Sequence, residues 1–76
     1  MTPAQIELLK GALGNDVELV CTDGEIVQAH VISVSDLEQD VIYDLISSNM
    51  SDRYQSRPSN AAYMTPFDQI EDIRLL

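Results

Sequence analysis

The stretch Val17-Glu18-Leu19-Val20-Cys21-Thr22-Asp23-Gly24-Glu25-Ile26-Val27-Gln28-Ala29-His30-Val31-Ile32-Ser33-Val34 decides the fold. Val17, Leu19 and Cys21 alternate with Glu18, Val20 and Thr22, the period of a strand with one buried face. Asp23-Gly24 follows, a pair that readily takes the positive φ of a tight hairpin turn. Beyond the turn Val27, Ala29, Val31 and Ser33 share one face, and Ile26, Gln28, His30, Ile32 and Val34 share the other. Both faces are partly apolar, so this second strand must bend through a core or be covered on both sides.

Upstream, Thr2 is a good N-cap, Pro3 suits the first helical position, and Gln5 completes a capping box. Ile6, Leu9 and Leu13 then recur on one helical face, widened by Leu8 and Ala12, and Gly14-Asn15 is a stop. Gly11 within the helix costs about 1 kcal/mol relative to alanine, so the helix needs a surface to dock on. Downstream, Ser35 to Asp40 is a polar turn, and Val41, Tyr43 and Leu45 alternate in a third strand. The expected elements are a helix at about 3–13 and strands at about 17–22, 25–34, 41–47, 61–65 and 70–75. Residues 48–60, polar and with Pro58, form a loop expected to be mobile. One helix and five strands in one domain spanning 1–76 point to a mainly β, SH3-like small barrel, because closure removes the unpaired edges of an open sheet.

Chain length limits stability. A domain of 76 residues buries only roughly 60% of the surface its unfolded chain exposes, and domains below about 70–80 residues often need extra support. Cys21 is the only cysteine and His30 the only histidine, which excludes an internal disulfide and opposes a zinc site. Self-association is the remaining support. No apolar run reaches the roughly 18 residues of a membrane span, and the N-terminus lacks a signal-peptide pattern, so a cytoplasmic, membrane-free protein is expected.

The net charge of −9 sets Lys10, Arg53, Arg57 and Arg74 against thirteen acids. Phosphate neutralisation by Lys and Arg dominates nucleic-acid affinity, so DNA is opposed and RNA disfavoured. Catalysis finds no constellation: His30 sits between apolar neighbours, Cys21 reads as a small core residue, and no glycine-rich phosphate loop exists. The chain reads as non-enzymatic and without a cofactor. Asp36, Glu38 and Asp40, with Asp44 nearby, could gather oxygen ligands for Ca²⁺ or Mg²⁺, but they read first as a solvated acidic turn. In the loop, Arg53, Tyr54 and Arg57 could stack on bases or anchor a partner.

Together these residues resemble the Sm-like (LSm) proteins, which include the bacterial Hfq type, over nearly the whole chain. Val17 to Gly24 resembles the opening of the first Sm motif, Ala29 stands at its usual glycine bend, and Asp36 and Asp40 fall on its Asp and Asn. Ala62 to Ile73 resembles the second motif. The resemblance implies a strongly bent five-stranded antiparallel barrel with the helix stacked on top. It also implies rings in which the fourth strand of one subunit pairs with the fifth of the next, making Ala62, Tyr63, Met64, Ile73 and Leu75 the interface residues. Another SH3-like small barrel remains the alternative. RNA-binding members use the Asp–Asn loop and an Arg or Lys followed by Gly. Here Asp40 replaces the Asn and Thr65-Pro66 replaces the basic pair, so the implied RNA pocket is reversed in charge. Two readings follow: a homo-oligomeric assembly module that binds itself or another protein, or an RNA-binding ring using loop contacts at Arg53, Tyr54 and Arg57.

Overall fold

Thr2 caps the N-terminal helix as its sequence requires. Its hydroxyl accepts from the Gln5 backbone N–H at 3.2 Å, and the Gln5 side chain accepts from the Thr2 N–H at 2.9 Å. In the computed structural model, which describes residues 1–54 and 62–76, helix α1 spans Pro3–Gly11. Strands β1 (Asp16–Cys21), β2 (Ile26–Ser35), β3 (Asp40–Ser48), β4 (Ala62–Pro66) and β5 (Ile70–Leu75) follow. The helix ends earlier than the apolar period suggested. Ala12 is its C-cap, Gly14 turns the chain at φ +79°, and Leu13 stays 54% exposed instead of joining the buried face.

The five strands form one antiparallel sheet in the order β4-β3-β2-β1-β5. The Asp23-Gly24 turn joins β1 to β2, with Gly24 at φ +92° and the Asp23 carboxylate accepting from the Glu25 N–H at 3.0 Å. Two register shifts against β3, at Gln28/Ala29 and Val31/Ser33, are where the long β2 departs from regular pairing. Such bulges bend a strand, and Ala29 sits at the first of them, fully buried. The predicted bend of β2 is therefore met by bulges beside a small residue.

The concave side of the sheet holds the core. Val17, Leu19 and Cys21 of β1 face Val27, Ala29 and Val31 of β2, with Val41, Tyr43, Phe67, Ile70 and Ile73 closing around them. Leu9 and Ala12 of α1 complete the cluster, so the helix has the docking surface that Gly11 demanded. Residues expected to be loop are partly built: Ser51–Tyr54 forms a 3₁₀ turn. The remaining loop residues 55–61, with Arg57 and Pro58, lie outside the described residues.

Strand count alone suggested full closure, whereas the family resemblance implied an edge at the fourth strand and another at the fifth. β4 pairs with β3 and β5 pairs with β1, and β4 and β5 are the two ends of the sheet. Among the described residues the barrel curls without a β4–β5 ladder. The 3₁₀ turn Phe67–Gln69 joins the two strands.

Candidate functional site

The outer edges of β4 and β5, the two ends of the sheet among the described residues, are the first feature that can act on another molecule. An edge strand presents unpaired N–H and C=O groups that template pairing with a further strand. β4 carries Ala62 and Met64 outward, Met64 61% exposed, while Tyr63 between them is half-buried. On β5, Leu75 is exposed but Ile73 is in the core, so at Ile73 only the backbone is available to a partner. A cavity of about 400 Å³ lies between β4 and the hairpin end of β1, where Cys21, Tyr43 and Tyr63 meet.

The second feature is a polar network that holds the chain between β3 and β4 against the β1–β2 hairpin. Glu25, 6% exposed, is its centre. Its carboxylate accepts from Ser48 Oγ at 2.6 Å, from the Tyr54 hydroxyl at 2.6 Å and from Arg53 Nη1 at 3.1 Å. Arg53 Nη1 also reaches Asp23 Oδ2 at 2.9 Å. Asn49 completes the clamp, accepting from the Ile26 N–H at 2.8 Å and donating to the Gly24 carbonyl at 3.3 Å. A buried carboxylate is tolerated only when paired and hydrogen-bonded, and Glu25 is both.

The aromatic side of the same segment rests on β4. Tyr54 meets Tyr63 edge to face at 5.1 Å, and Tyr63 lies 6.3 Å from Tyr43, whose hydroxyl is 3.0 Å from Thr65 Oγ1. The surroundings set the proton affinities. Burial, then the bond to Glu25, pushes the Tyr54 phenol up; burial does the same for Tyr43. Burial pushes the Cys21 thiol up to about 11, with Glu25 and Asp23 adding to it. The backbone N–H of Glu25, then Arg53, holds the Asp23 carboxyl below its ordinary value.

The sequence-derived candidates divide accordingly. Arg53 and Tyr54 come together, but both are committed to Glu25, and the Arg53 charge is met by two carboxylates. Asp36 pairs with Lys10 of α1, which also reaches Glu7 at 3.5 Å. Asp40 stands opposite Pro66 in the β3–β4 register, and Val41 opposite Thr65, so the two motif-like segments do meet. Among the described residues no ion pair brings a basic group to Asp40, and Lys10 is paired with Asp36 and Glu7. Arg74 pairs with Glu18 at 3.5 Å and Asp72 at 3.6 Å.

The metal candidates Asp36, Glu38 and Asp40 are not brought together as ligands. Among the described residues Cys21, Asp23 and Glu25 are the group whose ligand atoms lie within 4.8 Å of one another. Arg53 already supplies the positive charge there, and the thiol pushed up to about 11 is a poor thiolate donor, so the chemistry of this set does not suit a cation.

Asp16 and His30 form a cross-strand pair, standing directly opposite each other with Oδ1 2.8 Å from Nδ1. Cys21 lies five residues along β1 from Asp16, roughly 17 Å at strand rise, so the only thiol and the only imidazole do not meet. Among the described residues no helix is long and apolar enough to cross a membrane.

No protein-family model matches the chain, and no curated protein matches it. Among solved structures it is similar to the SmAP (LSm) protein from Methanococcus vannielii, with a TM-score of 0.70, 15% sequence identity and coverage of 97% of both chains. The fold is therefore Sm-like: an N-terminal helix and five strongly bent antiparallel strands, as the motif resemblance implied.

Proposed function

We propose that this chain is a non-enzymatic Sm-like module that assembles into a homo-oligomeric ring by pairing β4 of one copy with β5 of the next. The observation that carries the reading is the sheet order β4-β3-β2-β1-β5, whose two terminal strands have no further strand beside them among the described residues. The two free edges are different surfaces at opposite ends of the sheet. A contact between them is head-to-tail, and a head-to-tail contact on a curved subunit closes into a ring when its rotation divides a full turn. Pairing would extend the ladder, cover Met64 and Leu75, and supply the buried area that a 76-residue chain without a disulfide lacks.

RNA binding is the reading the charges oppose. Arg53, Lys10 and Arg74 are engaged with carboxylates, and the Asp40–Pro66 junction presents acid where a phosphate binder needs base. Labelled U-rich and A-rich single strands titrated at low salt should bind no more tightly than about millimolar. Submicromolar binding would replace the assembly-only reading with one in which Arg57 and its neighbours contact RNA.

A further inference from the structure

Arg74 sits on the outermost strand at one end of the sheet with acids around it. Its Nη1 is 3.5 Å from Glu18 Oε2, directly across in β1, and its Nε is 3.6 Å from Asp72 Oδ2. The side chain is still 66% exposed, and a guanidinium has more N–H donors than these two contacts use. Ile73 and Leu75 stand opposite Leu19 and Val17 on the core face, so Asp72 and Arg74 lie on the outer face.

The other end of the sheet carries the complement. Tyr63 and Thr65 of β4 stand opposite Tyr43 and Val41 on the core face, and Ala62 and Met64 stand opposite Asp44 and Ile42 on the outer face. Asp44 is exposed, and among the described residues no ion pair includes it. His30, opposite Asp44 in β2, has its Nδ1 turned to Asp16.

The inference rests on the ring proposed above and concerns its register. A sheet that continues from β4 of one copy into β5 of the next keeps its core faces together, so the two strands can slide past each other only in even steps. Setting Ala62 opposite Arg74 puts Met64 opposite Asp72. One even step in one direction sets Asp72 opposite Ala62, beside Asp44, and one in the other direction sets it opposite Pro66, beside Asp40. Both put acid next to acid, which destabilises strand pairing. We infer that Arg74 of one copy reaches across Ala62 to pair with Asp44 of the next, and that this ion pair sets the register of the junction. Adjacent strands lie about 4.8 Å apart, so the two backbones are about 10 Å apart, and the small Ala62 side chain between them leaves room for the extended guanidinium.

The test is a charge swap on the full chain, read as the concentration dependence of particle mass by light scattering. Arg74→Glu alone and Asp44→Arg alone should each weaken assembly by about tenfold or more, and the chain carrying both should recover to within about threefold of the parent. Within one chain β1 and β2 lie between β3 and β5, so recovery reports a contact between copies. Glu38→Arg with Arg74→Glu has the same net charge but places the new cation on the β2–β3 turn, and it should not recover. Should a reversed chain fail to fold, Arg74→Gln and Asp44→Asn give the same reading without repulsion: the double variant should lose little beyond either single one. Additive losses, or equal recovery with Glu38→Arg, overturn the inference. Unchanged assembly in Arg74→Glu and Asp44→Arg, with Met64→Asp still dispersing the particle, overturns this register and leaves the ring standing. A monomeric parent overturns both.

Discussion

The Tyr54 hydroxyl donates a 2.6 Å hydrogen bond to Glu25 Oε2 across 29 residues of sequence, and this contact fastens the 3₁₀ turn to the β1–β2 hairpin. Tyr54 also carries the edge-to-face contact with Tyr63, so the same residue links the hairpin to the outer strand β4. Tyr54→Phe keeps the ring contact and leaves one Glu25 oxygen with Ser48 alone. A hydrogen bond to a charged group is worth about 1.5–3 kcal/mol, and the partial exposure of Tyr54 places the loss at the lower end, about 1–2 kcal/mol in urea unfolding. Glu25→Leu, removing the carboxylate that Ser48, Arg53 and Tyr54 share, should cost more than Tyr54→Phe.

Acid should loosen the same clamp through Asp23. Its folded pKa lies below the ordinary 3.8, so its contribution is complete above that value and fades as pH falls through the lower, folded one. Comparing melting temperatures of the parent and Asp23→Asn from about pH 5 to about pH 2 should show a constant gap that closes only on the acid side of 3.8. A gap that closes near neutral pH would mean that the Arg53–Asp23 pair is not its source.

Cys21 should be chemically quiet. Burial and the neighbouring Glu25 and Asp23 hold its thiol near 11, so little thiolate exists near neutral pH and little of the side chain is accessible. Iodoacetamide should modify it slowly in the native protein and rapidly in urea. Fast native labelling would show that the mouth between β1 and β4 opens readily. Alkaline titration should cost stability from about 9.0 towards 11, because the unfolded chain releases its thiol proton first.

The elements written in local sequence were legible and those written in distant pairs were not. The Thr2–Gln5 box, the Asp23-Gly24 turn and the alternation of Val17, Leu19 and Cys21 each act within a few residues, and each formed as read. Leu13 continued the helical period, yet the backbone had already turned at Ala12 and Gly14, which periodicity alone does not register. Arg53 and Tyr54 looked like free loop groups because Glu25, their partner, is 28 and 29 residues away and looks in sequence like one more hairpin acid. The β4 and β5 edges were implied by the family resemblance and not by the strand count. Strand count suggested closure, whereas the order of strands, which places β5 beside β1, decides which edges remain.

Met64 separates the proposed assembly surface from the fold, since it is 61% exposed on the outer strand. Met64→Asp should leave the melting of the separated subunit within about 0.5 kcal/mol of the parent while placing a charge where two acidic copies would meet. Its assembly should weaken by at least about tenfold on dilution.

The mass of the native particle tests the central claim most directly. Size-exclusion chromatography with light scattering at tens of micromolar, checked by native mass spectrometry, should give an integral multiple of 8.5 kDa greater than two for the parent chain, shifting towards 8.5 kDa for Met64→Asp. A parent chain that runs as a single 8.5 kDa monomer, its β4 and β5 edges open in solution, would contradict the account.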